Sequence, residues 1–414
     1  MFITGPKVSP NYNGMTITYV EAIERAKSIG EVAKRNVLEA ERLRRLPEEN
    51  VRAIMDSGLM PLLRPRIFGG YEGDWITHID CVAEVARHCG STGWCMSFLL
   101  QHQFYLGYFP IETQRMVYEQ HPDPKIVTSF APIGKVRAVK GGFEASGRWT
   151  FGSCADHCDW AIVGGKVQGD NGPVIYNLLL SPGQFRVERV WNSVGLRGTG
   201  SNDLIIDEPA FIPDALVYKQ SDALAGNAPG SLSLEGRMYR GPLAYNIGFG
   251  VMTAMHGIAR GAYESFVEFT RHRVALMGNR DASDVAEIQS AIGESKAEID
   301  LAHLLTQKMS ATAVAEEGIT VDDIVRTRRD FILLQKLLRQ AVDRLFALSG
   351  ARGLDESLPM QRHWRDFHAI SHHFAFSPPS FQTAGRRDLG LGPTPGDIIT
   401  SFDLPVKGAG AGMD

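Results

Sequence analysis

The chain has 414 residues, of which 44% are hydrophobic and 22% charged. That length suits two or three packed units rather than one small core. Its formal net charge of −4 at pH 7 supplies no basic surface, so neither nucleic acid nor an anionic membrane is an expected partner. The opening MFITGPKVSPNYNG lacks a basic stretch followed by an apolar core and does not read as a signal peptide. Five cysteines, Cys81, Cys89, Cys95, Cys154 and Cys158, form no regular framework. They read as reduced thiols of a cytoplasmic protein.

In chain order, Val20, Ile23, Ala26, Ile29, Ala33 and Val37 recur at steps of three and four and predict a helix over 20–45. LPEENVRAIMDSGLM predicts a second, stopped by Gly58, and PLLRPRIFGGYEG a loop. Helices over about 75–90, beginning after Asp74, and 92–120 come next. The second holds the most apolar segment, GWCMSFLLQHQFYLGYF, which Gln101, His102 and Gln103 interrupt before it reaches the ~20 residues of a membrane span.

Near Lys125 the period changes to two. Phe143, Ala145, Gly147, Trp149 and Phe151 alternate with Glu144, Ser146, Arg148 and Thr150, a strand with one buried face. DWAIVGGKV, VIYNLLL, FRVERVW and NDLIIDEPAFI continue the pattern. A Gly/Ala/Ser-rich linker over 221–236 precedes further helices. One carries Ile288, Ile292, Ile299, Ala302, Leu305 and Met309 on a single face, and another is FILLQKLLRQAVDRLFALSG. The basic RTRRD before it reads as a solvated helix start or ion-paired surface. From Ser377 the Gly- and Pro-rich chain reads as irregular. The expected fold class is α+β: a helical domain over 1–124, a β-barrel-like domain over 125–220 and a C-terminal four-helix bundle with an irregular tail over 221–414.

Chemistry-bearing motifs are sparse. GLRGTGSND (195–203) is Gly-rich but lies within the β region, which excludes a dinucleotide-binding βα turn. The C-x3-C pair Cys154–Cys158 lacks a second Cys/His pair at finger-like spacing, and reads as buried thiols rather than a zinc site. In RDFHAISHHF (365–374), His368 and His372 share a helix face while His373 points partly elsewhere. No metal site is expected from them, because an i, i+4 pair needs further ligands.

The helix–β–helix order and the segment SGARGLDESLPMQRHWRD, with its Arg365–Asp366 pair, resemble the acyl-CoA dehydrogenase superfamily. In that family's dehydrogenases a glutamate base commonly stands eight residues past this Asp. Here Phe374 stands there, and a phenyl ring takes no proton. GRWTFGSCADHCDW, GLRGTGSND and QRHWRDFHAISHH resemble instead the oxygenase components of two-component flavin-dependent monooxygenases.

The resemblance implies reduced flavin (FMNH2 or FADH2) from a separate NAD(P)H-dependent flavin reductase, with O2 as co-substrate. A C4a-hydroperoxyflavin would hydroxylate a small phenol-like or indole-like molecule. It places Ser153 near flavin N5 and Phe151 beside the ring. Arg197, Thr199, Ser201 and Arg273 become flavin contacts, and His373 the proton-handling group. His102 and Ser129 fall at a substrate hydroxyl, and Phe374 in the pocket wall with Trp149 and Phe376. A homotetramer is implied. The replacement of a common Ser-Gly pair by the Cys154–Cys158 stretch is a departure from the branch. Two alternatives stand beside this reading: a dehydrogenase whose base is Glu264 or Glu268, and a catalytically silent binding scaffold.

Overall fold

The computed structural model describes residues 16–170, 172–272, 281–376 and 379–392. Thr18 opens the first helix, its hydroxyl accepting the Glu21 N–H at 3.2 Å. α1 (Tyr19–Arg35) buries Ala22, Ala26, Ile29 and Ala33. The helix expected over 20–45 is interrupted at Asn36, and α2 (Val37–Leu43) continues beyond it. Asn36 donates its side-chain amide to Glu49 Oε2 and Asn50 Oδ1, both at 2.8 Å. It thus anchors α3 (Glu48–Asp56) at a point where the apolar period runs on unbroken.

Asp74 caps α4 (Trp75–Ala86) by accepting the Thr77 N–H at 2.9 Å. The expected helix over 92–120 is two, α5 (Gly90–Leu106) and α6 (Ile111–Gln120), parted by Gly107 and Pro110. α5 is buried all round except for a partly exposed Phe98, so it forms the spine on which other elements pack.

Seven strands form one sheet: β1 (Ile126–Val139), β2 (Gly142–Gly152), β3 (Trp160–Gly169), β4 (Gly172–Leu180), β5 (Arg186–Glu188), β6 (Asn202–Pro213) and β7 (Val217–Lys219). Their order is β5-β6-β2-β1-β3-β4-β7, with β1 and β3 parallel. Trp149 of β2 is fully buried and donates its indole N–H to the Gly164 carbonyl at 2.7 Å. It belongs to the sheet's core and not to the wall of a site.

Four short helices, α7 (Gln220–Leu224), α8 (Pro229–Ser233), α9 (Arg237–Arg240) and α10 (Leu243–Asn246), occupy the expected linker and its continuation. The long helices α11 (Phe249–Arg271), α12 (Ala286–Ala313) and α13 (Val321–Leu348) come after them, then α14 (Pro359–Ser371) and α15 (Pro379–Asp388). α15 corrects the expectation of an irregular chain after Ser377. Its Arg387 pairs with Asp322 at the start of α13, which supplies a tertiary anchor that composition does not show. The RTRRD stretch is also corrected. Arg326 and Arg329 pair with Asp323 and Asp330, but Arg328 is 1% exposed and faces the interior.

Trp75 ties the N-terminal helices to the C-terminal ones. It stacks on Phe249 at 4.9 Å and donates its indole N–H to Asn246 Oδ1 at 2.9 Å. Replacing it with Ala should cost roughly 3–5 kcal/mol in denaturant unfolding, as aromatic cavities usually do. A loss below about 1 kcal/mol would contradict that joining role.

Candidate active site

β2 ends at Gly152, and the chain turns sharply through Ser153 and Cys154, the latter left-handed at φ 64°. The Cys154 N–H donates to the Thr199 carbonyl at 2.8 Å. That bond joins this turn to the tight turn Arg197–Thr199, which is flanked by left-handed Leu196 (φ 49°) and Gly200 (φ 53°). Two segments distant in sequence are thereby laid side by side, and their hydroxyls meet in a row.

The row has a direction. Thr199 Oγ1 donates to the Leu196 carbonyl at 3.0 Å, which uses its only proton. Ser201 Oγ, 2.8 Å from Thr199 Oγ1, must then be the donor of that pair. Ser153 Oγ, 2.9 Å from Ser201 Oγ, donates in turn. Trp94 Nε1, a donor only, gives its N–H to Ser153 Oγ at 2.9 Å. Ser153 therefore keeps one unused lone pair.

Trp94 also meets His373 edge-to-face at 5.8 Å and Phe98 at 4.8 Å, and Phe98 meets His102 at 5.4 Å. Trp94, Phe98 and His102 lie four apart along one face of α5. This aromatic line leads from the hydroxyl row to His102. Sequence reasoning missed Trp94 and Phe98, although their i, i+4, i+8 spacing with His102 is a readable signal.

His373 lies just past α14 and accepts the Ala375 backbone N–H on Nδ1 at 3.2 Å, so the neutral ring carries its proton on Nε2. Burial, then the nearby Arg328 charge, pushes its pKa down to about 4. Phe374 packs against the His373 ring at 4.5 Å and is 57% exposed. Of the companion histidines, His368 bonds Asp343 on α13 through Nε2 at 2.7 Å, and His372 is exposed.

His102 is 1% exposed with both ring nitrogens occupied. Nδ1 lies 2.5 Å from the Ile126 carbonyl, to which it donates, and Nε2 lies 3.0 Å from the Thr128 hydroxyl. Burial lowers its pKa to about 4, against the Ile126 bond. Ser129 is buried and donates to the Thr150 carbonyl at 2.9 Å. It leaves the face of β1 opposite Thr128 and shares no bond with His102.

Phe151 is left-handed at φ 64° and 71% exposed, edge-on to Trp191 at 6.4 Å. A bulky residue held in that region and bared to solvent is a strained arrangement. Arg197 has a buried Nε with no hydrogen-bond partner among the described residues. Arg273 lies outside the described residues.

Cys95, Cys154 and Cys158 cluster behind Ser153. The Cys158 thiol donates to the Cys154 carbonyl at 3.3 Å, and the Cys95 thiol to the Thr199 carbonyl at 3.5 Å. A cleft of about 610 Å³ between Ala155–Asp159 and Pro182–Arg189 contains none of the expected site residues. Its floor is tied up by the Arg189–Asp156 ion pair at 2.5 Å. Glu264 and Glu268, the alternative bases, are surface ion-pair partners of Arg87 and of Arg271.

Residues 249–378 match the family model for the acyl-CoA dehydrogenase C-terminal domain. The chain is 34% identical over 360 residues to the flavin-dependent monooxygenase oxygenase subunit HsaA of Rhodococcus jostii, covering 85% of this chain and 94% of that one. It is 31% identical over 395 residues to the oxygenase component of an FADH(2)-dependent resorcinol hydroxylase of Rhizobium sp., covering 91% and 96%. The crystal structure of the HsaA monooxygenase from M. tuberculosis superposes with a TM-score of 0.85 at 30% identity, over 91% of this chain and all of that one. The chain belongs to the oxygenase components of flavin-dependent monooxygenases, a branch of the acyl-CoA dehydrogenase superfamily.

His102 is held neutral in the folded state, so the unfolded chain binds more protons between about pH 6.5 and 4. Its contribution to stability is present above pH 6.5 and is lost as pH falls toward 4, on the order of 3 kcal/mol. His102→Gln should flatten that part of the stability–pH curve relative to the parent in urea unfolding. An unchanged slope would show that His102 is not desolvated in solution.

Proposed function

We propose that the protein hydroxylates a small phenol-like or indole-like ring, using reduced flavin delivered by a separate NAD(P)H-dependent reductase, and O2. The observation that carries this reading is the polarised hydroxyl row ending on Ser153, which Trp94 links to His373. The FADH(2)-dependent resorcinol hydroxylase among its relatives supports a phenolic substrate and FADH2, with FMNH2 the alternative flavin. Bound flavin supplies the oxygen-transfer chemistry, and the protein supplies binding, orientation and proton control.

The residues fit such a group. With one lone pair of Ser153 taken by Trp94 and its proton directed to Ser201, what remains is an acceptor. Reduced flavin carries a hydrogen on N5 and oxidised flavin does not, so this serine favours the reduced form. Phe151 offers an exposed ring face to the isoalloxazine, and the half-buried Arg197 a positive charge to an anionic part of the cofactor. Arg273 is proposed as a further cofactor contact from the family resemblance alone.

His373 presents a neutral ring whose Nε2–H can donate to a phenol oxygen and favour its ionised form. We assign it the role of holding the phenol oxygen by that donated hydrogen bond. Phe374 stands where a dehydrogenase of this superfamily carries its base, and walls the pocket instead. Phe98, packed on Trp94, adds a second aromatic ring. Bound flavin and substrate over these rings would keep water from the reacting atoms. His102 and Ser129 are proposed near the substrate hydroxyl. For His102 this requires Thr128 to release Nε2. α12 exposes Leu301 and Leu304, an apolar face suited to the self-association of a homotetramer. Among the described residues no helix is long and apolar enough to cross a membrane, and a cytoplasmic location is part of the proposal.

Two outcomes test the roles. His373→Ala should lower hydroxylated product per reduced flavin by roughly tenfold or more, with flavin affinity within about twofold of the parent. Unchanged product yield would remove the histidine from the chemistry. Ser153→Ala should weaken reduced-flavin binding by about 1 kcal/mol in anaerobic titration and leave oxidised-flavin binding nearly unaltered. Equal losses for both redox forms would contradict the acceptor assignment.

A further inference from the structure

The side chain of Asp366 touches the junction of three elements that carry the site. It sits on α14, seven residues before His373. Its Oδ1 accepts the Leu196 backbone N–H at 2.6 Å. Its Oδ2 lies against the first residue of α5, where a Cβ added to Gly90 would come within 2.6 Å of it. α5 carries Trp94, and the segment after Leu196 carries Thr199 and Ser201. The same junction is pinned twice more. Ser91 Oγ on α5 accepts the Gly198 N–H at 3.0 Å, and Arg365 donates to the Val194 carbonyl at 2.5 Å.

We propose that Asp366 is a positioning residue for the flavin-facing hydroxyl row: by fixing the Leu196 peptide it sets the place of Thr199, Ser201 and Ser153. This rests on the functional reading above and extends it to a residue that does not touch the cofactor. The route is continuous. The residue held by Asp366 turns its carbonyl toward Thr199, which donates both its N–H at 3.2 Å and its hydroxyl at 3.0 Å to it. From Thr199 the row runs through Ser201 to Ser153.

The carboxyl is also a titrating group near neutral pH. Burial raises Asp366 to about 7, opposed by the Leu196 N–H and aided by Glu41. The charged groups around it are Glu41 on α2, and Arg362 and Arg365 on its own helix, both paired with that glutamate. The residue before α5 faces it with the Cys89 thiol, and α11 with apolar Ile258. The ionised carboxylate is the stronger acceptor for Leu196, so the row is held most firmly above about pH 7.

The test compares the full-length parent with Asp366→Ala and Asp366→Asn. Hydrogen exchange of the peptide spanning 195–201 is measured without cofactor, and anaerobic titration with FMNH2 or FADH2 is measured beside it. Asp366→Ala should speed exchange in that peptide at least about tenfold and weaken reduced-flavin binding in parallel. Asp366→Asn keeps an acceptor for Leu196 and cannot ionise. It should restore slow exchange and make the protection of that peptide, taken relative to the intrinsic exchange rate at each pH, independent of pH between about 6 and 8.

The folded parent holds the Asp366 proton more tightly than the unfolded chain. Its stability relative to Asp366→Asn should therefore fall as pH rises from about 4 to about 7. Unchanged exchange in Asp366→Ala overturns the clamp. A loosened peptide with unaltered reduced-flavin affinity overturns the positioning role. If the parent itself fails to bind reduced flavin, the functional reading fails and this proposal with it. The exchange result then tells that failure from a failure of the clamp.

Discussion

The site depends on one residue's backbone groups, those of Leu196. Its carbonyl takes the Trp191 indole N–H at 2.9 Å, the Thr199 N–H at 3.2 Å and the Thr199 hydroxyl at 3.0 Å. Its N–H goes to Asp366. Holding a leucine left-handed here costs some backbone strain. The consequence is directional: with the Thr199 proton given to that carbonyl, Ser201 donates to Thr199 and Ser153 to Ser201, which leaves Ser153 an unused lone pair. A protein that must hold a hydrogen-bearing N5 in preference to a bare one needs such a committed acceptor. A freely rotating serine hydroxyl would serve either form.

Three parts of the fold converge to make this arrangement. The sheet delivers Ser153 at the end of β2 and Ser201 at the start of β6. α5 delivers Trp94, and α14 delivers His373. Trp94 is the joint, since its N–H reaches the serine while its ring meets the histidine. The same scaffold that in dehydrogenases presents a carboxylate here presents Phe374 over an imidazole of lowered basicity. In the proposed function, removing the base and drying the pocket are two aspects of one change, because an oxygenated flavin is preserved by the absence of water and of stray proton acceptors.

Much of this is legible in the chain. The period of two around Trp149 and the apolar helices after Ala286 indicate the architecture. Ser153, Thr199, Ser201 and His373 stand in motifs that the family resemblance interprets. Long-range and side-chain-specific contacts are not legible. Asn36 divides a helix whose apolar stripe continues past it, because its amide reaches α3. Arg328 is buried inside a run of basic residues that composition assigns to solvent. Asp366 is visible as a landmark, but its contact with Leu196 spans 170 positions. Trp94 is hidden in a hydrophobic run where any aromatic residue satisfies the core. Phe151 is expected against flavin, and only the backbone geometry shows it held left-handed and bare.

If the hydroxyl row and the apolar wall act together, this chain protects a reduced flavin while oxygen reacts with it. Mixing protein and anaerobically reduced FMN or FAD with oxygenated buffer in a stopped-flow instrument, and following flavin absorbance, measures that protection. The expected result is a transient, oxygen-dependent species distinct from both reduced and oxidised flavin, long-lived compared with the same mixture without protein. Direct return to oxidised flavin at the rate of the free cofactor would contradict it.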